Sequence, residues 1–126
     1  MKTLHIEDFF ALCNWSQTID FCNTFQRLIS QFHDHSAPTY MSIEAYDKNP
    51  AYLIRVHARF WKDRNGYTLY ELKTVDVFDT PQDFMAMMFL DASIRRQDGK
   101  DKNALGTADD INGVFAKTDG LVLNLN

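Results

Sequence analysis

The chain has 126 residues, 45% of them hydrophobic and 13% aromatic, an apolar supply that disordered chains lack and that suffices for one packed core. Thirteen Lys and Arg stand against seventeen Asp and Glu, a net charge of −4. This excludes, at the level of the whole domain, the positive field of a general nucleic-acid binder, while leaving room for a local basic patch, and it excludes the acid density of a DNA mimic. No run approaches the roughly 20 apolar residues of a membrane span, and Met1–His5 lacks the apolar stretch of a secretory signal. The expectation is a single compact domain over 1–126, cytoplasmic, with no membrane association and no internal repeat.

In chain order, residues from about 4 to 13 predict a short helix, with Phe9, Phe10, Leu12 and Cys13 apolar and Glu7 and Asp8 near its positive end. Asn14 followed by Gln17 reads as a capping box. A long helix follows over about 16–33, because Phe21, Cys22, Phe25, Leu28, Ile29 and Phe32 recur at three- and four-residue spacing. Cys13 and Cys22 have neither metal nor redox spacing and are expected to be reduced core thiols. Pro38 breaks the helix, 40–46 alternates as a strand, and Asp47-Lys48-Asn49-Pro50 is a turn.

The next segment predicts a hairpin. Asn65-Gly66 suits a type I′ turn, in which both central residues take positive φ. A two-residue loop makes facing residue numbers sum to 131. Ile54 then faces Val77 and Val56 faces Val75 on an apolar side. On the other side Arg55 meets Asp76, His57 meets Thr74 and Trp61 meets Tyr70, pairings that favour the ladder. Phe60 opposite Glu71 does not fit, and a bulge or a longer loop would relieve it.

Thr80-Pro81-Gln82-Asp83 opens another helix. Its run Phe84–Leu90 is apolar nearly all round, which predicts cover on more than one side, and Arg95 and Arg96 suit its end. Residues 97–103 read as a polar loop, 107–115 as a short helix, and Leu121, Leu123 and Leu125 as one face of a closing strand. The fold class is therefore α+β: an N-terminal helical hairpin packed with a small, mostly antiparallel sheet, in the order α-α-β-β-β-α-(α)-β.

Chemistry has three candidate locations. His33-Asp34-His35, with His5 and His57, offers metal nitrogens but not the paired spacing of zinc sites; a polar helix end explains it more simply. The carboxylates Asp98, Asp101, Asp109, Asp110 and Asp119 miss the calcium-loop pattern, and the seven-residue spacing of Gly99, Gly106, Gly113 and Gly120 runs across different elements. No phosphate-cradling loop is present. The third location is the outer face of the hairpin, where Arg55, His57, Arg59, Trp61, Tyr70 and Asp76 collect. No nucleophile or proton donor accompanies His57, so catalysis has no assembled set, and neither cofactor nor metal is expected.

Trp, Tyr and Arg are the residue types favoured at interface hot spots. The expected function is a small protein-binding module, an inhibitor or immunity-type protein that blocks a larger protein target through the hairpin face. A homodimer through the C-terminal strand is a further partner option, and nucleic acid is disfavoured by charge. The alternative is a small ligand-binding domain or enzyme with a pocket between helices and sheet, its polar groups drawn from His57, Arg55, Asp76 and Tyr40.

Overall fold

The computed structural model describes residues 1–31 and 35–97, with side chains to Arg95. Its central feature is the long hairpin of β3 (Tyr52–Lys62) and β4 (Thr68–Phe78). β2 (Thr39–Ile43) pairs with β3, and β1 (Lys2–His5) pairs with β4. The four-stranded antiparallel sheet has the order β1-β4-β3-β2. Around it lie α1 (Ile6–Leu12), α2 (Trp15–Ile29) and α3 (Pro81–Gln97). The α+β class and the mostly antiparallel sheet are as the sequence predicts. The expected helix at 107–115 and closing strand at 121–125 lie outside the described residues, as does the loop 98–106.

β1 is an addition. Residues 2–5 do not start the first helix, as expected, but form an edge strand ahead of it. Four residues show too little alternation to announce a strand; only the register, with Leu4 opposite Val75, places Leu4 over the core. The α2 start is as expected: the Asn14 side chain accepts from the Gln17 N–H at 2.8 Å, and the Gln17 side chain accepts from the Asn14 N–H at 3.0 Å. Gln17 is fully buried. Its amide also donates to the carbonyls of Glu44 and Pro50 at 3.0 and 2.7 Å, fastening α2 to the β2–β3 connection.

Two aromatic cores result. On one face of the sheet, Phe9 of α1 and Phe21, Phe25 and Leu28 of α2 pack on Met41, Ile43, Ile54, Val56 and Val75. On the other, Phe84 and Met88 of α3 pack on Tyr40 and Phe78. Thus β2 is buried from both sides. The cover expected on more than one side of α3 is not found among the described residues: Phe84, Met88 and Ala92 are buried at four-residue spacing, while Phe89, Leu90 and Ile94 are exposed. Only one stripe of the helix reaches the sheet. Both cysteines are free thiols. Cys13 is half-buried against the first core, but Cys22 is exposed, on the side of α2 turned away from the sheet.

The hairpin corrects the expected register in one place. Facing numbers sum to 131 from Ile54↔Val77 to His57↔Thr74, but Ala58 pairs with Leu72, Arg59 with Glu71, Phe60 with Tyr70 and Trp61 with Leu69. Lys73 is the extra residue of a β-bulge. It resolves the Phe60 misfit by moving Glu71 off that side of the ribbon. The turn also differs from type I′. Among the described residues only Asp47 and Gly66 have positive φ, Gly66 at 83°, so Asn65 does not adopt the conformation a type I′ turn demands. Instead the Gly66 N–H donates to the Asp63 carbonyl at 3.1 Å. The Asp63 carboxylate accepts from the N–H groups of Asn65 and Tyr67, both at 2.9 Å. A turn with a left-handed glycine as its last residue closes the longer hairpin loop.

Candidate functional site

Strand alternation sends Thr3, Asp76, Arg55 and Tyr40 to the α3 side of the sheet, and register aligns them in one row across all four strands. The buried Asp76 carboxylate is the hub. One oxygen accepts from the Thr3 hydroxyl at 2.6 Å; the other accepts from Arg55 Nε at 2.7 Å and His57 Nε2 at 2.7 Å. Arg55 Nη1 reaches Asp91 of α3 at 2.9 Å, and the Tyr40 hydroxyl donates to the same carboxylate. The Arg55 guanidinium also lies 6.0 Å from the Phe78 ring centroid.

Burial works against charge at Asp76, yet the hydrogen bonds from Thr3, His57 and Arg55 outweigh it and hold the carboxyl below its usual range. Burial likewise opposes the Arg55 charge, and Tyr40, Asp76 and Asp91 more than restore it. The Tyr40 phenol is pushed far up, first by burial and then by Asp91. Asp76 therefore remains an acceptor, so His57 carries the proton on Nε2. Nδ1 of His57 has no hydrogen bond among the described residues, and its side chain is 38% exposed.

The expected site residues fall into four places. Arg55 and Asp76 form a largely buried pair, with side chains 12% and 4% exposed, because α3 covers their end of the sheet. His57 stands at the margin of that cover. Arg59 and Trp61 lie further out, where the Arg59 guanidinium sits 4.8 Å from the Trp61 ring centroid. Tyr70 is not with them. The bulge turns it to the α2 side, where it packs against Phe25 and Phe60 and accepts a hydrogen bond from Gln26 at 3.2 Å. Leu69, 40% exposed, stands opposite Trp61 in its place.

Thr3 and Asp91 are not among the residues that the sequence singles out, and Tyr40 enters there only as a pocket group. Alternation would find Thr3 once β1 is known; the carboxylate that immediately follows the apolar run of α3 is the signal for Asp91. Of the candidate histidine cluster, His5 and His57 flank Thr74 across three strands. His35 instead bonds the Ile29 carbonyl at 2.8 Å and stacks on Phe60, while His33 and Asp34 lie outside the described residues. No group of three metal-ligating side chains occurs among the described residues.

The hairpin is longer than its neighbours. β2 pairs with β3 only as far as Val56, and β1 with β4 only as far as Thr74. Residues 58–62 and 68–72 therefore continue as a two-stranded arm. One face packs on α2 through Phe60 and Tyr70; the other presents Arg59, Trp61, Leu69 and Glu71. Among the described residues no helix is long and apolar enough to cross a membrane. Comparisons with protein-family models, with curated proteins and with solved structures find no match to this chain.

Proposed function

We propose that the protein is a binding module that blocks a larger protein through the Arg59–Trp61 face of its hairpin arm, in the manner of an inhibitor or immunity-type protein. The observation that supports this reading most is the stacked Arg59–Trp61 pair beside exposed Leu69 on paired strands. Such side chains lose little freedom on binding, and Trp with Arg supplies area together with a charge contact. Behind the arm, the Asp76 network fixes the strands that carry it.

A photo-crosslinking amino acid at Leu69, compared with the same residue at Lys48, tests the reading in native cells. A discrete protein adduct at Leu69 and none at Lys48 is expected. Arg59→Ala with Trp61→Ala should weaken binding of that protein at least tenfold, about 1.4 kcal/mol, with an unchanged melting temperature. No adduct at Leu69, or unaltered affinity of the folded double variant, rejects it.

A second reading rests on His57. A histidine oriented by a buried carboxylate 2.7 Å away, whose other ring nitrogen has no hydrogen bond among the described residues, is an ingredient of acid–base chemistry in a small ligand-binding domain or enzyme. Ligand-induced shifts confined to His5, His57 and Thr74 in NMR spectra would favour it.

A further inference from the structure

The hairpin arm differs in charge from the rest of the chain. From Ala58 to Lys73 there are four basic side chains and two carboxylates; elsewhere the chain has nine and fifteen. Both carboxylates of the arm are engaged within it. Asp63 holds the Asn65 and Tyr67 amides of the turn, and Glu71 pairs with Lys73 at 2.6 Å, which lowers its pKa. Arg59, Lys62 and Arg64 are exposed and make no ion pair within 4 Å among the described residues, although Arg59 faces Glu71 across the ladder and adds, after Lys73, to the lowering of its pKa.

These cations are not on one side. Arg59 shares the Trp61 face, Lys62 has the opposite alternation, and Arg64 sits in the turn. Tyr67, 67% exposed, stands beside them. A flat acidic surface would meet only one side of such an arm. An acidic cleft that receives the hairpin end would meet all three, with an apolar wall for Trp61, Tyr67 and Leu69. Resting on the protein-binding reading above, we infer that the partner of the arm is a protein with a carboxylate-lined cleft into which the hairpin end inserts. Charge complementarity of this kind speeds encounter and selects partners, and here it operates although the whole chain is acidic.

The test uses the whole 126-residue chain in NMR titrations with three probes at about 20 mM salt: a peptide of about twelve residues alternating Glu with Leu and Phe, the same peptide with Lys for Glu, and an oligothymidine of about twelve nucleotides. The acidic peptide should shift amides 59–69. Its affinity should fall at least fivefold at 200 mM salt, and at least tenfold in the variant Arg59→Glu, Lys62→Glu, Arg64→Glu. The lysine peptide should leave those amides unmoved. Equal response to both peptides, no response to either, or tighter binding of oligothymidine overturns the acidic cleft. With the adduct protein from crosslinking, binding lost in Trp61→Ala but retained in the charge-reversed variant rejects the cleft and leaves the binding reading intact. Loss in neither removes both.

Discussion

Arg55 and Asp76 face each other across β3 and β4, with Nε and Oδ2 2.7 Å apart and both side chains largely withdrawn from water. Removing Asp76 takes the acceptor from Thr3, Arg55 and His57 together and leaves the Arg55 charge only the more exposed Asp91, which costs about 3–5 kcal/mol. Asp76→Ala should fall in that range by urea denaturation. Asp91→Ala should cost less, about 1 kcal/mol, because Asp91 is more exposed and Arg55 retains Asp76. Equal losses would show that Asp76 is not the hub.

The same carboxylate gives stability a direction with pH. Its hydrogen bonds hold the folded pKa below the unfolded value of about 3.9. Near that value the unfolded chain binds the extra proton, so the contribution is complete above it and is lost as pH falls through the folded pKa. Urea midpoints measured from pH 6 to pH 3 should decline at the acid end, and the decline should be shallower in Asp76→Asn.

Gln17 lends itself to a sharper substitution. Its buried amide donates to two carbonyls, Glu44 and Pro50, and its oxygen accepts from Asn14 and Asn49. Gln17→Glu keeps the size and removes the donors. The site is fully buried at Gln17, and a carboxylate there would lose its charge solvation while facing two carbonyl oxygens with no donor between them, so a loss of about 3 kcal/mol is expected in chemical denaturation. A change below about 0.5 kcal/mol would show that this junction does not hold α2 to the β2–β3 connection.

The turn can be checked by two single changes. Gly66 has φ of 83°, with open space where a Cβ would project, so Gly66→Ala should cost about 1 kcal/mol from conformation alone. Asn65→Ala should cost a few tenths, since its φ is negative. Comparable losses at both positions would indicate the type I′ geometry.

The two cysteines should separate in a labelling experiment. Burial pushes the Cys13 thiol up to about 11, so at pH 8 only about one thiol in a thousand is ionised there. Cys22 is raised by partial burial too, yet it is exposed. Mass spectrometry after iodoacetamide treatment should show Cys22 modified well before Cys13.

Much of the frame is legible in the sequence, for local reasons. Asn14 and Gln17 identify a helix start because the two groups that satisfy each other are three residues apart. Ile54↔Val77 and Arg55↔Asp76 follow from alternation on a single hairpin. What escapes depends on contacts between segments far apart in the chain. Thr3 meets Asp76 only because β1 docks on β4, and Asp91 meets Arg55 only because α3 crosses that end of the sheet. Simple alternation misplaces Tyr70 because one unpaired residue inverts it. The misfit of Phe60 with Glu71 marks that place, though not which strand carries the excess.

That excess residue, Lys73, has a consequence for how the hairpin can change over time. Above it, inward and outward positions are set by the rows through Arg55 and Asp76; below it they follow a phase of their own. The ribbon thus has two independently keyed halves. Substitutions at Arg59, Trp61 or Leu69 leave the anchored half as it is, so the outer end is free to diversify while the fold beneath it keeps its sequence constraints.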